Sequence, residues 1–394
     1  MVRGRIRVAD RISSVSYEIR DIVQKAEKIE KTGRKVYYLN IGDPGKFGFR
    51  PPAHVREAIV KAIKEDFCGY APSAGDPELR EVVGKREGVS PSDAFITNGL
   101  SEGIDMLFQA LLNKGDNVLL PSPSYPLYVS KSRVLGGKDN FYPCDENWVP
   151  VIDDIRKKIN RKTRAIVVIN PNNPTGAVYP ESVLREIIGI AGEYNLPIIA
   201  DEIYDKMVFE GKSTNMHKLS RDVPLISGNG ISKVYLYPGA RVGYLAFHGD
   251  GLDYVKDAMQ KLCNARLSVN WEMQRGAIAA FTGPQNHIEK TNKELRKRRD
   301  LVYKRLNEMK GIKTAKPHGA FYIFPEITDR LWKSDNDFVY SLLEKTGVVV
   351  VSGSGFSPVL DGLYFRMVYL PERGILEEAL DKMEGFMKRA KGLK

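Results

Sequence analysis

One lysine of this chain stands where a lysine can do chemistry. Lys233 ends a stretch of mostly small residues, 227–233, that follows an apolar run. Small residues let a planar ligand approach the backbone closely. A lysine in such a loop can form an imine with an aldehyde, and Arg241, eight positions further on, can hold a phosphate of the same ligand. The pair predicts a covalent cofactor site, with an ordinary surface lysine as the alternative.

Further polar residues stand just after other short apolar runs. Ligands of open α/β sheets bind beyond the carboxyl ends of the strands, so these residues are expected to meet at one edge. Each has a structural alternative, since Ser101 can cap its helix and Asn173 can shape its turn. Their shared position favours a single site. The candidates are Leu100, Ser101, Tyr125, Asn173, Asp201, Tyr204, Ser232, Lys233 and Arg241.

The elements that must position these residues alternate between short apolar runs and helical patterns. This alternation predicts a mostly parallel sheet with helices on both faces. The predicted strands are 94–97, 117–120, 164–169, 196–200, 223–227 and 242–247. The resulting fold class is α/β, with a large three-layer α/β/α domain over residues 48–288.

The two ends of the chain read differently. After about residue 289 a long charged helix, 288–309, precedes short strands and further helices, a pattern typical of a smaller α+β domain. Residues 10–31 are predicted as one helix and 35–41 as a strand. We expect the N-terminal helix to pack with the C-terminal part, so that the small domain is discontinuous, 1–47 and 289–394.

Composition narrows the class of protein. The chain has 394 residues with 60 Lys+Arg against 49 Asp+Glu, a net charge of +11, but basic and acidic residues are interleaved. This favours solvated helix faces over a nucleic-acid or acidic membrane surface. No apolar run reaches the roughly 18 residues of a membrane span. Three scattered cysteines and five histidines predict reduced thiols, no metal site and a cytoplasmic location.

The order of motifs strongly resembles that of the class I aminotransferases, which are pyridoxal 5′-phosphate (PLP) enzymes of fold type I. The resemblance extends from Tyr17 to the C-terminus. It is carried by 172–176 (Asn-Asn-Pro-Thr-Gly), 201–204 (Asp-Glu-Ile-Tyr), Ser232-Lys233 with Arg241, and Phe365-Arg366. Two N-terminal motifs, 39–44 and 17–20, are most similar to the alanine (glutamate–pyruvate) aminotransferases of prokaryotes.

The resemblance implies a role for each candidate at the cofactor. Lys233 forms the imine and then moves the proton between substrate and cofactor, Asp201 pairs with the pyridinium N–H, and Tyr204 binds the 3′-oxygen together with Asn173. Tyr125 stacks on the ring. The phosphate is held by Leu100, Ser101, Ser232 and Arg241, and by Tyr70 of the neighbouring subunit in an obligatory homodimer.

The resemblance also implies the substrates and their contacts. Arg366 binds the α-carboxylate with help from Gly42 and Asn173. We expect Arg20, next to Tyr17, to meet the distal carboxylate of glutamate or 2-oxoglutarate, unless it is a surface arginine. The expected reaction exchanges the amino group between these compounds and a small amino acid, alanine in the first place, by a ping-pong mechanism.

Alternatives and departures stay open. The next alternative to an alanine aminotransferase is an aspartate or aromatic aminotransferase, and a PLP lyase or a PLP-sensing regulator is less favoured. Gly230 stands where some relatives have a phosphate-binding serine, and Ala240 where many have tryptophan. The segment 266–272, which ends in Trp271-Glu272, replaces a proline-containing one, so substrate choice is in question.

Overall fold

The structure is a computed structural model that describes residues 7–15, 18–220 and 222–392. The helices are α1 (Glu18–Glu30), α2 (Ala53–Lys64), α3 (Pro77–Glu87), α4 (Leu100–Leu111), α5 (Pro126–Val134), α6 (Ile152–Lys158), α7 (Glu181–Glu193), α8 (Asp253–Arg266), α9 (Trp271–Thr282), α10 (Asn286–Glu308), α11 (Asp335–Thr346) and α12 (Arg373–Gly392). The strands are β1 (Tyr37–Tyr38), β2 (Ala94–Thr97), β3 (Asn117–Ser122), β4 (Phe141–Pro143), β5 (Thr163–Ile169), β6 (Ile198–Asp201), β7 (Leu225–Gly230), β8 (Gly243–His248), β9 (Ile312–Lys313), β10 (Tyr322–Ile323), β11 (Glu326–Ile327), β12 (Val348–Val349), β13 (Val351–Ser352) and β14 (Phe365–Val368).

The central sheet has the strand order β2-β8-β7-β6-β5-β3-β4. Strand β8 is antiparallel to β2 and β7, and every other pair in the sheet is parallel. The prediction of a mostly parallel sheet is confirmed. Because β8 alone runs backwards, its first residues lie at the edge where the other strands end.

Side chains of one strand enter two different cores. Ala165, Val167 and Ile169 of β5 pack into one buried cluster, which also takes in the apolar face of α4. Ile166 and Val168 pack into another cluster, together with the apolar face of α7. Alternation of side chains along a strand produces this division, so the sheet is covered on both faces as the apolar runs predicted.

The C-terminal part contains short strands and long helices. Strands β10, β14 and β13 form an antiparallel sheet, and β9 pairs with β11. Near the N-terminus, β1 pairs with β12 in parallel, and α1 contacts α11, β12 and β13. These contacts support the proposed small discontinuous domain, whose boundaries stay a prediction.

Local signals explain several helix boundaries. Ser334 accepts a hydrogen bond from the backbone N–H of Asp337 at 3.0 Å and caps α11. The helix ends at Gly347, with φ of +78°, where a Cβ would lie 2.5 Å from the carbonyl oxygen of Lys35. Only glycine fits this left-handed, crowded position, which connects α11 to the strand pair β1–β12.

Several predicted elements differ from the observed ones. The predicted helix 10–31 is instead a 3₁₀ turn, Asp10–Ser14, and the helix α1, and the strand predicted over 35–41 shrinks to the two residues of β1. Neither α3, α8, α9 nor β4 was predicted. Strand β4 has three residues and depends on its pairing with β3, a tertiary contact that no local pattern reveals.

Candidate active site

A cavity of about 630 Å³ opens at the edge of the sheet where the parallel strands end. The candidate residues that line it are spread over more than 320 positions of the chain. The predicted residues that line it are Gly42, Leu100, Ser101, Tyr125, Asn173, Asp201, Tyr204, Ser232, Lys233, Arg241 and Arg366. The sheet order explains the convergence, since residues after β2, β3, β5, β6 and β7 and the residues before the reversed β8 reach the same edge.

Lys233 lines the cavity, and no carboxylate of the described residues forms an ion pair with its amine. Its Nζ donates a hydrogen bond to the carbonyl oxygen of Gly42 at 2.7 Å. Burial lowers the pKa of Lys233 to about 8, Asp43 opposes the shift, and Arg366 and Arg241 add to it. A larger fraction of the amine is therefore neutral near pH 7, the form that attacks an aldehyde carbon.

Asp201 is 5% exposed and held at both carboxylate oxygens. Oδ2 accepts a hydrogen bond from the hydroxyl of Tyr128 at 2.8 Å, and Oδ1 accepts one from the N–H of Ile203 at 3.2 Å. Burial raises the pKa of Asp201 to about 6, against the opposing effect of both hydrogen bonds and of Lys233. Most of the carboxyl is still ionised at pH 7, so it can pair with a cationic ring nitrogen.

The N-terminus of α4 and Arg241 together form an anion cradle. Gly99 precedes the helix with φ of +72°, and in the described part of the chain no side-chain cap satisfies the first N–H groups of α4. Arg241 donates hydrogen bonds to the carbonyls of Asn98 and Pro238, each at 3.1 Å. A Cβ on Gly99 would overlap the guanidinium, so this approach requires glycine. Free N–H groups, the helix dipole and an arginine suit a phosphate.

The departure at Gly230 has a structural reason. Gly230 pairs with Gly243 across β7 and β8, and a Cβ on Gly230 would lie 2.6 Å from the carbonyl oxygen of Val242. A serine at this position would collide with the neighbouring strand. Ser101 and Ser232, the two serines that the sequence predicted at the phosphate, both line the cavity.

Arg366 is only 2% exposed, and its hydrogen bonds go to neutral oxygens. Nη1 donates to Oδ1 of Asn173 at 3.0 Å, and Nη2 donates to the carbonyl of Asn40 at 2.6 Å. The rings of Tyr322 and Phe356 lie 4.6 Å and 4.8 Å from Cζ. Within the described residues Nε has no hydrogen-bond partner. A buried cation left in this state suits a carboxylate ligand.

Sequence reasoning missed several residues at the site, and three of them carry polar side chains that bear on its chemistry. Asp43 and Tyr322 line the cavity, and Tyr128 holds Asp201 from behind. Tyr128 lies in the first turn of α5, three positions after Tyr125, the residue that precedes the helix, and this closeness in the chain could have indicated it. For Tyr322 the sequence signal was only an aromatic strand, because its contacts are made with distant parts of the chain.

Other predicted residues lie elsewhere. Tyr70 is 80% exposed on the surface and does not line the cavity of its own chain. Segment 266–272 also lies outside the lining, and Trp271 packs against Phe67 at 4.9 Å between ring centroids. Tyr17 lies outside the described residues. Arg20 belongs to α1, but its side chain lies outside the described part of the structure.

The cavity fits PLP in each part that the structure shows: an enclosed lysine, a buried carboxylate, an aromatic ring from Tyr125 and an anion cradle.

A second polar group is also present, since Glu87, His217 and His248 offer ligand atoms within 4.8 Å of one another. Every helix in the described ranges is too short or too polar to span a bilayer.

Comparison with known proteins agrees with this geometry. Residues 34–382 match the model of the family "Aminotransferase class I and II". The glutamate-pyruvate aminotransferase AlaA of Haemophilus influenzae is 39% identical over 96% of this chain and 97% of its own length. The solved alanine aminotransferase of Pyrococcus furiosus superposes with a TM-score of 0.95 at 48% identity, over 97% of this chain and all of that one.

A more distant solved structure shares the same fold. A single mutant of the Thermus thermophilus aspartate aminotransferase superposes with a TM-score of 0.88 at 30% identity, over 97% of this chain and 100% of that one. The cavity, the family match and these structures agree on cofactor and chemistry. The chain belongs to the class I and II aminotransferase family and is a PLP-dependent aminotransferase of fold type I.

Proposed function

We propose that this enzyme transfers an amino group between alanine and 2-oxoglutarate, giving pyruvate and glutamate, by a ping-pong mechanism. The names of the relatives from Haemophilus influenzae and Pyrococcus furiosus support the substrates. The observation that carries the proposal is the incompletely bonded Arg366 in the same cavity as Lys233, one group for the α-carboxylate and one for the amino-group chemistry.

Bound PLP supplies an electron sink for the electron pair that remains when the substrate Cα loses its proton. The protein's part follows from the residues on the cavity wall. Arg366 and Asn173 bind the α-carboxylate and fix the orientation of the Cα–H bond. Lys233 Nζ would take the Cα proton and return it at C4′ of bound PLP, and a pKa lowered to about 8 suits an amine to this role.

The remaining residues hold the cofactor. Asp201, fixed by Tyr128, keeps the ring nitrogen protonated, and Tyr204 donates to the 3′-oxygen together with Asn173. Tyr125 covers the ring. The phosphate is bound by the first N–H groups of α4 at Leu100 and Ser101, and by Ser232 and Arg241. Gly42 contributes backbone to the carboxylate site, where a side chain would overlap the hydroxyl of Tyr322.

A homodimer completes the proposed site. Tyr70 is 80% exposed and does not line its own cavity, and the stretch of chain before it also exposes Val60, Ile63 and Phe67. We propose that this surface contacts a second copy and that Tyr70 reaches the phosphate of that copy. Mixing a Lys233→Ala variant with a Tyr70→Phe variant tests this, because one site of each mixed dimer is then intact and activity should return.

The distal carboxylate of glutamate is assigned to Arg20. Arg20 lies on α1, which packs against α11 and against strands β12 and β13, and this supports a place for Arg20 on the small domain. Arg20→Ala should raise KM for 2-oxoglutarate about tenfold or more and leave KM for alanine unchanged, as expected for one lost ion pair. An unchanged kcat/KM for 2-oxoglutarate would remove the assignment.

A panel of amino donors tests the substrate proposal directly. Purified holoenzyme is assayed with 2-oxoglutarate and alanine, aspartate or an aromatic amino acid, and kcat/KM is compared. Alanine should lead. If aspartate leads, the enzyme resembles in specificity the aspartate aminotransferase named among the structural relatives. The cytoplasmic location stays a proposal, supported by three free cysteines in the structure.

A further inference from the structure

Tyr322 contacts three parts of the active site and has no role assigned so far. Its hydroxyl lies 2.9 Å from the hydroxyl of Tyr204 in a buried pair. The same hydroxyl packs so closely on Gly42 that a Cβ there would overlap it. Its ring lies 4.6 Å from Cζ of Arg366. The residue is 3% exposed yet lines the cavity.

The fold makes this bridge with two neighbouring strands. Tyr322 begins β10, which pairs antiparallel with β14, the strand that carries Arg366. Tyr204, in contrast, follows β6 of the central sheet. The side chain of Tyr322 therefore connects the strand that presents Arg366 to the turn that presents Tyr204. Asn173, which follows β5 of the central sheet, accepts a hydrogen bond from Arg366 directly.

We propose that Tyr322 is a positioning residue whose hydroxyl orients the hydroxyl of Tyr204 and whose ring holds Arg366 for the substrate carboxylate. The inference rests on the proposed roles of Tyr204 and Arg366. A phenol hydroxyl both donates and accepts. When Tyr322 donates to the oxygen of Tyr204, the proton of Tyr204 is left for the cofactor's 3′-oxygen, and each bond of such a chain strengthens the next.

The ring explains why an aromatic residue suits this position better than an acid. A carboxylate beside Arg366 would neutralise the guanidinium and compete with the substrate. A ring face attracts the guanidinium and leaves its charge available. Tyr322 therefore orients a buried cation without satisfying it, in agreement with the unpartnered Nε. A plain packing residue would need the ring but not the hydroxyl.

Two variants separate the two contacts in the holoenzyme. Tyr322→Phe keeps the ring and removes the hydroxyl, so kcat should fall about tenfold, the size of one net hydrogen bond, with KM for the amino acid within about twofold. Tyr322→Leu removes both, so KM should also rise about tenfold, the size of a buried cation–π contact. Tyr369→Phe is the matched control, since Tyr369 is buried nearby and donates to the carbonyl of Gly319 at 3.2 Å.

A spectroscopic measurement without substrate gives the decisive readout. A hydrogen bond donated to the 3′-oxygen stabilises negative charge there and lowers the proton affinity of the bound cofactor. In Tyr322→Phe the pH midpoint of the visible absorbance should move up by about half a unit or more, the shift that corresponds to a threefold change. Tyr369→Phe should titrate as the wild type.

A double-mutant cycle with Tyr204→Phe then tests the coupling. Once Tyr204 has lost its hydroxyl, Tyr322→Phe should move the midpoint no further. Additive shifts, or a Tyr322→Phe variant that titrates and turns over as Tyr369→Phe does, would overturn the proposal. Because the titration needs no substrate, it stands even if the donor panel refutes alanine as the amino donor.

Discussion

Two polar clusters in the described part of the structure differ in how their charged groups are paired. The first is the cavity at the edge of the sheet. The second, here called the closed cluster, consists of Arg86, Glu87, Glu202, Asp205, His217, Ser227, Tyr244 and His248. In the closed cluster the charges meet each other: Arg86 binds Asp205 at 2.6 Å, and Glu87 accepts hydrogen bonds from Tyr244 and Ser227.

The cavity leaves its charges incompletely paired. Arg366 donates to neutral oxygens, and its Nε has no hydrogen-bond partner among the residues that the structure describes. Lys233 donates to a carbonyl oxygen. Perturbed pKa values do not distinguish the two clusters. Burial raises the pKa of Glu202 to about 8 and that of Asp201 only to about 6. Burial alone shifts a pKa, so unsatisfied charge beside an open volume identifies the site better than the size of a shift.

The sharpest test removes a titrating group from each cluster. Lys233→Ala should lower kcat by about 10⁴-fold or more, because both the nucleophile and the proton carrier are lost. Glu202→Gln removes the carboxyl whose pKa is raised more than that of Asp201, yet it should leave kcat within twofold of the wild type. Steady-state transaminase assays decide, and equal losses in both variants would contradict the distinction between the clusters.

Removal of an arginine from each cluster should have different consequences. Arg366→Leu should lower kcat/KM about 10³-fold, mostly through KM, because a buried charge that binds the substrate carboxylate is lost. Arg366→Lys should recover part of the loss, since lysine keeps the charge but not the paired donors. Arg86→Lys is the matched control and should change KM little.

The closed cluster should matter to stability instead. Glu87→Gln should lower the free energy of unfolding by about 3 kcal/mol, because Arg86, Tyr244 and Ser227 lose a buried anionic partner. Denaturant unfolding measures the loss, and kinetics on the folded variant should give an unchanged KM. A variant with wild-type stability and a raised KM would assign Glu87 to the active site.

The pH dependence of stability gives a smaller but directional effect. Glu202 has a folded pKa of about 8 against 4.5 for the ordinary group, because burial favours its protonated form and Glu87 adds to the effect. The raised pKa means that its contribution is present below pH 4.5 and is lost as pH rises through 8. Glu202→Gln should therefore be more stable than the wild type at pH 9 and show no such gain at pH 5, in urea unfolding at both pH values.

The smallest effect concerns the pH at which the apoenzyme captures PLP. The capture rate should rise with pH and level off with a midpoint near 8, the lowered pKa of Lys233. Asp43 raises this pKa, so Asp43→Asn should move the midpoint to lower pH. Stopped-flow absorbance after addition of PLP measures the rate at each pH. A midpoint near 10 would show that Lys233 is not enclosed in solution.

Much of the architecture could be predicted from the sequence. The short apolar runs predicted six strands of the central sheet, because strands covered on both faces carry apolar residues at successive positions. The order of the motifs that contain Lys233, Asp201, Asn173 and Arg366 was enough to indicate the aminotransferase family. Strand β4 and the split of the N-terminal helix were not predicted, since such features depend on contacts with parts of the chain that are far away in sequence.

The sequence by itself determined most of the polar groups that line the site and that most of them lie at strand ends. Only the tertiary structure decided how those groups are connected. The reversal of β8 brings Arg241 to the cradle, Tyr128 reaches Asp201 from behind, and Tyr322 spans from β10 to Tyr204 and Arg366. The reason is physical: hydrogen bonds and burial act through a few ångströms of space, and residues 118 positions apart become neighbours only when the sheets have packed.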